Sequence, residues 1–492
     1  DLGNILLHRG IYFVFGLSFI SFTIVMLKRL PQSRAVTGLA RLSSFALLAV
    51  AVAMMVAYVG KIRAGSSLRE QISALGDSYA DSPVLTVTGY DISLAHQGPA
   101  ISATAAMKIR NDTPGPVEKY VFNLNPGLAV KDDGGTGRYA VSRELQVVTV
   151  DPGRPLMPGG VDSFEISYEG IIDERACYPD ILESDREKAL RLEHAGMVNM
   201  GKRYSFVTPD YVLLTPESGW YPVPGPGYIP SRPEARPRRL ADFSLEVRTR
   251  PGLTAVSQGA ARSEGDGAFS FHPEYPLPSL ALSIGKYEYR SIEVDSVEYG
   301  LYIFEGHDFF SDYFTEIGDT LQSVIRDMAN DTENKLGLEY PYKRLTLLEV
   351  PIHFYSYRRL WSVAQETVQP EIVLLPEAGL PLRGVDFRMI EHRLKRTRER
   401  TNETASPIED QCGMFNGFAR NTLLSSSGFF RFNSDDDNPF AFQTSYNIFP
   451  NYVTFTTSLE SRRWPVLGMS LEAFYAGKLE EDAPGFARFI TG

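Results

Sequence analysis

"RLTLLEVPIHFYSYRRLWSVAQETVQPEIVLLPE", residues 344–377, holds two apolar runs around a knot of aromatic residues, arginines and one acid. The runs RLTLLEVP and EIVLLPE are short, rich in Leu, Ile and Val and bounded by Pro and charged residues, which predicts strands. Between them lie Tyr355, Tyr357, Arg358, Arg359, Trp361 and Glu366. Aromatic rings supply contact area and guanidinium groups supply several donors, so such a concentration reads as a recognition surface. Tyr357, Arg359, Trp361 and Glu366 are therefore the candidates for binding a substrate or partner. Catalysis at Glu366 would need a nucleophile or a metal nearby, and spacing identifies neither.

Working outward, the period changes. In DFFSDYFTEIGDTLQSVIRDMANDTENKLG (308–337) the apolar positions Phe310, Phe314, Ile317, Leu321, Val324 and Met328 recur every three or four residues, which predicts one amphipathic helix. A basic helix is expected around 386–400, followed by a less regular tail. Upstream, residues 84–172 alternate apolar and polar positions in five runs broken at Gly, Pro, Asn and Asp, the pattern of an antiparallel sheet or saddle. FSLEVRTRPGLTAVSQG and LALSIGKYEYRSIEV resume that pattern. Residues 174–200 read as a helix or a surface excursion. PVPGPGYIPSRPEARP (222–237) is too rich in proline for a helix or a central strand; it is either a loop packed on its own domain or a polyproline ligand for a partner.

Residues 10–27 and 42–60 contain no charged residue, and either run is long enough to cross about 30 Å of hydrocarbon as a helix. KRLPQSRAVTGLAR between them carries Lys28, Arg29, Arg34 and Arg41 and no acid. The positive-inside rule makes this loop cytoplasmic, and residues after about 64 then face the periplasm or the exterior. Both spans are rich in Gly, Ala and Ser, which favours packing on other membrane helices. The formal charge is −11, yet residues 1–63 hold seven basic residues against Asp1, a local +6, which leaves −17 for 64–492. A surface that acidic repels phosphate backbones, so nucleic acid is not an expected partner. The chain starts at Asp1 without Met, as a segment of a longer polypeptide or a processed one would.

The search for chemistry excludes more than it finds. None of His8, His96, His194, His272, His307, His353 and His392 has a second histidine four residues on, the spacing that grips zinc from one helix face. Glu391-His392 lies on the basic helix with Arg396 where a partner would stand. There is no G-x-S-x-G elbow and no P-loop. NSDDDNP (433–439) lacks the glycine and distal glutamate of an EF-hand loop and reads as a solvated turn. Cys177 and Cys412 have no metal-ligand spacing and are either a disulfide or two separate thiols. No catalytic residue, metal site or cofactor is expected.

The order of FEISYEGII, WYPVPG, LTAVSQG with LALSIGKYE, the long helix and YPYKRLTLLEVP (340–351) resembles the aminopeptidase-N family of zinc metallopeptidases over about 84–377. The resemblance implies a saddle-like β-domain followed by a thermolysin-like catalytic domain. It also places a G-x-M-E-N substrate motif at LWSVAQETV, which lacks the Gly and the Met-Glu-Asn run; Glu366 falls near the motif's glutamate. The HExxH helix and its distal Glu ligand are absent, and without them no zinc-bound water is activated. The whole is similar to membrane proteins in which an ABC-2 type transporter permease is fused to an aminopeptidase-N-like exterior domain, with DQCGMFNGFARNTLLSSSGFF (410–430) where the zinc helix would be.

The expected fold class is α+β with transmembrane helices: two N-terminal membrane helices (1–63), a connecting helix (64–83), a saddle-like antiparallel β-domain (84–293) and a degenerate thermolysin-like α+β domain (294–492). The expected function is that of a membrane-embedded ABC-type permease subunit whose inactive exterior domain binds a substrate or partner. Its partners would be membrane lipid, other transmembrane helices and a cytoplasmic ATP-binding subunit. The rivals are a membrane-anchored zinc aminopeptidase with ligands outside this segment and a structural subunit of an envelope complex.

Overall fold

The computed structural model describes residues 2–27, 33–131, 139–186, 203–232, 239–308, 310–318, 320–357, 359, 362, 364, 366–377, 387–401, 406–419, 451–452 and 463–479. The chain divides into two compact units, Asp1–Ser73 with Leu182–Gly201, and Ala74–Ile181 with Lys202–Gly492.

In the first unit, helix α1 (Leu2–Met26) and most of α2 (Arg34–Ser78) lie side by side. Both are long and apolar enough to cross a membrane. Phe13, Phe19, Leu42 and Phe45 are exposed on them, an arrangement that suits hydrocarbon better than water. The Ser18 hydroxyl donates to the Ser44 carbonyl oxygen at 2.8 Å, and Gly10 lies against Met54, the close small-residue packing of membrane helices. Two expectations change here. Arg34 and Arg41 belong to α2 and not to a loop, and the polar helix expected after the second span is its direct continuation, because no proline interrupts 34–78. The helix is 45 residues long, about 68 Å at 1.5 Å per residue.

The described residues of the second unit form four sheets. The largest has seven strands, in the order Ala260–Gly265, Ala268–His272, Asp242–Arg248, Thr86–Gln97, Ala100–Arg110, Val161–Gly170 and Leu128–Val130. It is antiparallel except at one pair: Thr86–Gln97 runs parallel to Asp242–Arg248. Alternation along a run shows which face is buried but not which distant strand pairs beside it. Residues Ile92, Leu94, Ala105, Met107, Ile166, Tyr168 and Leu245 of this sheet share a large core with Phe122, Val148 and Trp220. A four-stranded sheet, Val223–Pro224, Tyr120–Asn123, Val147–Asp151 and Ala140–Glu144, contributes to it. The proline-rich loop is thus packed on its own domain as far as residue 232: Val223 pairs with Asn123, and Pro222, Gly225, Pro226 and Ile229 are buried.

The last turn of α2 is fastened to the same loop. Asp77 Oδ1 accepts from the Ser231 backbone N–H at 2.8 Å; hydrogen bonding to the Ser231 side chain, and then to its backbone, lowers the Asp77 pKa, and Arg232 donates to the Ala80 carbonyl oxygen at 2.7 Å. Gly76 is required there: a Cβ would lie 1.9 Å from the Tyr228 carbonyl oxygen. A backbone oxygen cannot rotate aside, so Gly76→Val is expected to cost about 1–3 kcal/mol as an overpacking change. Limited proteolysis should then cleave first within 76–84.

The segment quoted at the outset lies in a five-stranded sheet, Tyr287–Val294, Val297–Phe304, Arg344–Val350, Ile372–Pro376 and Val368–Gln369. Both predicted strands are present, parallel to each other, with Leu347 opposite Val373 and Leu348 opposite Leu374. One face buries Leu345 and Val373 with Leu336 of helix α3 (Leu321–Leu336), Tyr452, and Leu471 and Tyr475 of a later helix, Pro465–Leu479. The other face buries Leu348, Val350, Ile372 and Leu374 against Phe206, Leu213 and Val256. Helix α3 starts at Leu321, later than the periodicity predicts. Ser311–Tyr313 form only a single 3-10 turn, and Phe314 packs edge-on to the Phe387 ring at 4.9 Å. Phe387 opens α4 (Phe387–Thr401), the expected basic helix. Pro407–Ala419 forms α5, while 420–430 and the NSDDDNP turn lie outside the described residues.

Candidate functional site

The described residues of the knot between the two parallel strands are buried or half-buried. Backbone hydrogen bonds lay its first part along residues 203–204: Arg203 N–H donates to the His353 carbonyl oxygen and Tyr355 N–H to the Arg203 carbonyl oxygen, both at 2.9 Å. The chain then turns inward, and Tyr357 is 7 % exposed. Its ring meets Tyr178 at 5.1 Å and Tyr355 at 5.0 Å, and its hydroxyl is 3.1 Å from that of Tyr204.

Arg359 is the centre of the group. Its Nε and Nη2 donate to both oxygens of Asp180 at 2.7 and 2.8 Å, and Nη2 also donates to Glu217 Oε2 at 2.8 Å. The guanidinium lies over the Tyr178 ring, 4.7 Å from its centroid. Side-chain exposures are 11 % for Arg359, 5 % for Asp180 and 13 % for Glu217. A two-point fork between planar groups is the strongest form of ion pair, and burial shields it from solvent screening.

Local sequence explains why the acids stand where they do. In TPESG, Thr215 precedes a 3-10 turn (Pro216–Ser218), Pro216 presets the first φ, and Gly219 ends the turn in the left-handed region at φ 59°. That turn points Glu217 inward. Asn125 fixes its position: the side-chain amide donates to the Ser218 carbonyl oxygen at 2.8 Å, and Oδ1 accepts from the N–H groups of Gly127 and Asp173 at 2.9 Å. On the other side, Tyr178 has φ 57°, a conformation that costs a non-glycine residue of the order of 1–2 kcal/mol. It lets the Tyr178 N–H donate to Glu217 Oε1 at 2.6 Å while its ring supports Arg359. Glu366 accepts from the Glu217 N–H at 3.3 Å.

The electrostatics follow from this packing. Burial raises the Glu217 pKa to about 7; Arg359 opposes the shift, and Asp180 and Glu366 add to it. Burial likewise raises the Tyr178 hydroxyl well above its usual range. Arg359 stays protonated, because Glu217 and Asp180 more than offset the burial that opposes its charge.

Of the four sequence candidates, Tyr357, Arg359 and Glu366 come together and Trp361 lies outside the described residues. They differ from an open recognition surface in one respect: the Arg359 donors are turned to internal acids. The sequence reading missed Asp180, Glu217, Tyr178 and Asn125. The signal available for Glu217 was an acid set in a 3-10-type turn directly before buried Trp220 and Tyr221. Cys177 is buried, Cys412 half-buried, and both are free thiols, which decides between the two readings of that pair. Among the described residues, no group of three or more His, Cys, Asp or Glu is placed to hold a metal ion.

No family model matches the chain, and no curated protein does. Solved structures similar to it include an M1 zinc metallopeptidase from Deinococcus radiodurans, at 17 % identity and a TM-score of 0.41 over 60 % of each chain. A mutant enzyme from the same organism matches at 15 % identity and a TM-score of 0.42, over 81 % of this chain and 94 % of its own. A mutant two-domain M1 zinc metallopeptidase bound to L-tryptophan matches at 16 % and 0.40, over 70 % and 76 %. The chain thus spans less than two thirds of the first of these and most of the second.

Proposed function

We propose that this chain is a membrane-embedded subunit of an ABC-type permease, and that its aminopeptidase-N-like exterior domain binds a substrate or partner without cleaving it. ATP would be hydrolysed by a separate cytoplasmic subunit, and residues after about 64 would lie on the periplasmic or extracellular side. The observation that carries the non-cleaving part is the state of the knot. Where the family resemblance places a substrate-facing glutamate motif, the described side chains are turned to one another, with Arg359 clasped by Asp180 and Glu217 in the interior. The membrane part is supported by α1 and α2, both long and apolar enough to span, and by the basic segment between the spans.

The test is purification of the full-length protein from its native membrane. A nucleotide-binding subunit is expected to co-purify, and aminoacyl-nitroanilide substrates are expected to stay intact with and without added zinc. Zinc-dependent, chelator-sensitive release of the amino-terminal residue would overturn the reading in favour of an anchored aminopeptidase. A stable assembly with no nucleotide-binding subunit would overturn it in favour of a structural role.

A further inference from the structure

The segment between the parallel strands Arg344–Val350 and Ile372–Pro376 is held by side chains from two other parts of the chain, and one of its fastenings can change charge. Arg359 reaches Asp180 on one side and Glu217 on the other. Glu217 also grips the Tyr178 N–H and offers its own N–H to Glu366. It therefore touches every piece of the clasp: residues 177–180, the turn at 216–218, and Arg359 and Glu366 between the strands. Glu217 receives only the edge of a guanidinium that Asp180 already holds at two points, and it stands beside the two carboxylates Asp180 and Glu366.

We propose that Glu217 is a proton-operated catch: when its carboxyl is protonated, Tyr357, Arg359 and Glu366 are held against 174–181 and 215–218, and when it ionises their hold weakens. As a neutral acid Glu217 no longer repels Asp180 and Glu366, still accepts from Arg359 and the Tyr178 N–H, and gains a proton to donate. As an anion it shares with Asp180 a single guanidinium that Asp180 already holds at two points, and it repels the neighbouring carboxylates. Tyr178, Tyr204 and Tyr357 pack on one another, and Arg203 is directed to Glu174 through Nε at 2.6 Å.

The sign follows from linkage. An acid whose pKa is higher in the closed form than in the open chain binds the extra proton in the closed form, so the hold is greatest at low pH and declines as pH rises from the ordinary value of 4.5 towards about 7. Between pH 6 and 8 the opening equilibrium should increase about tenfold, the effect of roughly one pKa unit of remaining difference.

Hydrogen exchange followed by mass spectrometry on the full chain in nanodiscs tests this directly. After correction for intrinsic rates, peptides containing Tyr357 and Arg359 should exchange about tenfold faster at pH 8 than at pH 6. In Glu217→Gln, which stays neutral, the slow exchange should persist at both pH values. Equal protection of the wild type at pH 6 and 8, or a Glu217→Gln variant that follows the wild type, would overturn the proposal. The unmodified protein gives a second readout. A protonated-carboxyl infrared band that fades between pH 6 and 8 is expected, and its absence would overturn the proposal even if the variant failed to fold.

Discussion

A full-length chain carrying Arg359→Met is expected to lose about 3–5 kcal/mol of stability at pH 8, the range for removing one partner of a buried ion pair. Methionine keeps much of the length and apolar contact over Tyr178, so the loss isolates the charge. Asp180 and Glu217 would remain in the interior without the guanidinium that neutralises them. Both would then be higher in pKa when folded than when unfolded, so the deficit should shrink as pH falls towards 5 and the acids take up protons. Adding Asp180→Asn and Glu217→Gln to Arg359→Met should recover most of the loss, because a neutral, hydrogen-bonded cluster carries no buried charge. Thermal unfolding of the solubilised protein at pH 5 and 8 measures all three. A variant as stable as wild type at pH 8 would show that the clasp contributes nothing and that other contacts, among them the backbone hydrogen bonds to Arg203, hold the segment.

What could be read from the chain in advance, and what could not, divides along sequence distance. The membrane-length runs, the strand at 344–350, the strand at 372–376 and the helix at 387–401 are local patterns and appear where the periodicity places them. The helix start at Leu321 is not local: Phe310, Tyr313 and Phe314 have helical spacing, but their rings are drawn to Phe387, more than seventy residues on. The clasp is more remote still. Arg359 and Glu366 were legible as a concentration of chemistry, yet Asp180 and Glu217 lie 179 and 142 residues from Arg359 in the chain. Only folding shows that Arg359 is turned inward to these acids. The parallel pairing of Thr86–Gln97 with Asp242–Arg248 escaped for the same reason.

Trp220→Ala is expected to be the other severe substitution, at about 3–5 kcal/mol for removal of a large buried aromatic. Trp220 is 0 % exposed, packs edge-on to Tyr221 at 4.8 Å and lies in the core shared with the seven-stranded sheet. It also follows Gly219, where the turn bearing Glu217 ends, so the cavity opens directly behind the clasp. Trp220→Phe separates packing from polarity. The indole Nε1 is buried without a hydrogen-bond partner among the described residues, and such an orphan donor costs about 1–3 kcal/mol that phenylalanine removes. The smaller ring leaves a cavity of its own, so the two effects oppose and Trp220→Phe should fall well short of Trp220→Ala. Unfolding midpoints of the two variants decide between explanations: if phenylalanine is as damaging as alanine, the indole N–H has a function that packing does not account for. If it is nearly neutral, ring volume alone holds this corner of the core, and the turn that presents Glu217 to Arg359 is stiff because Trp220 fills the space behind it.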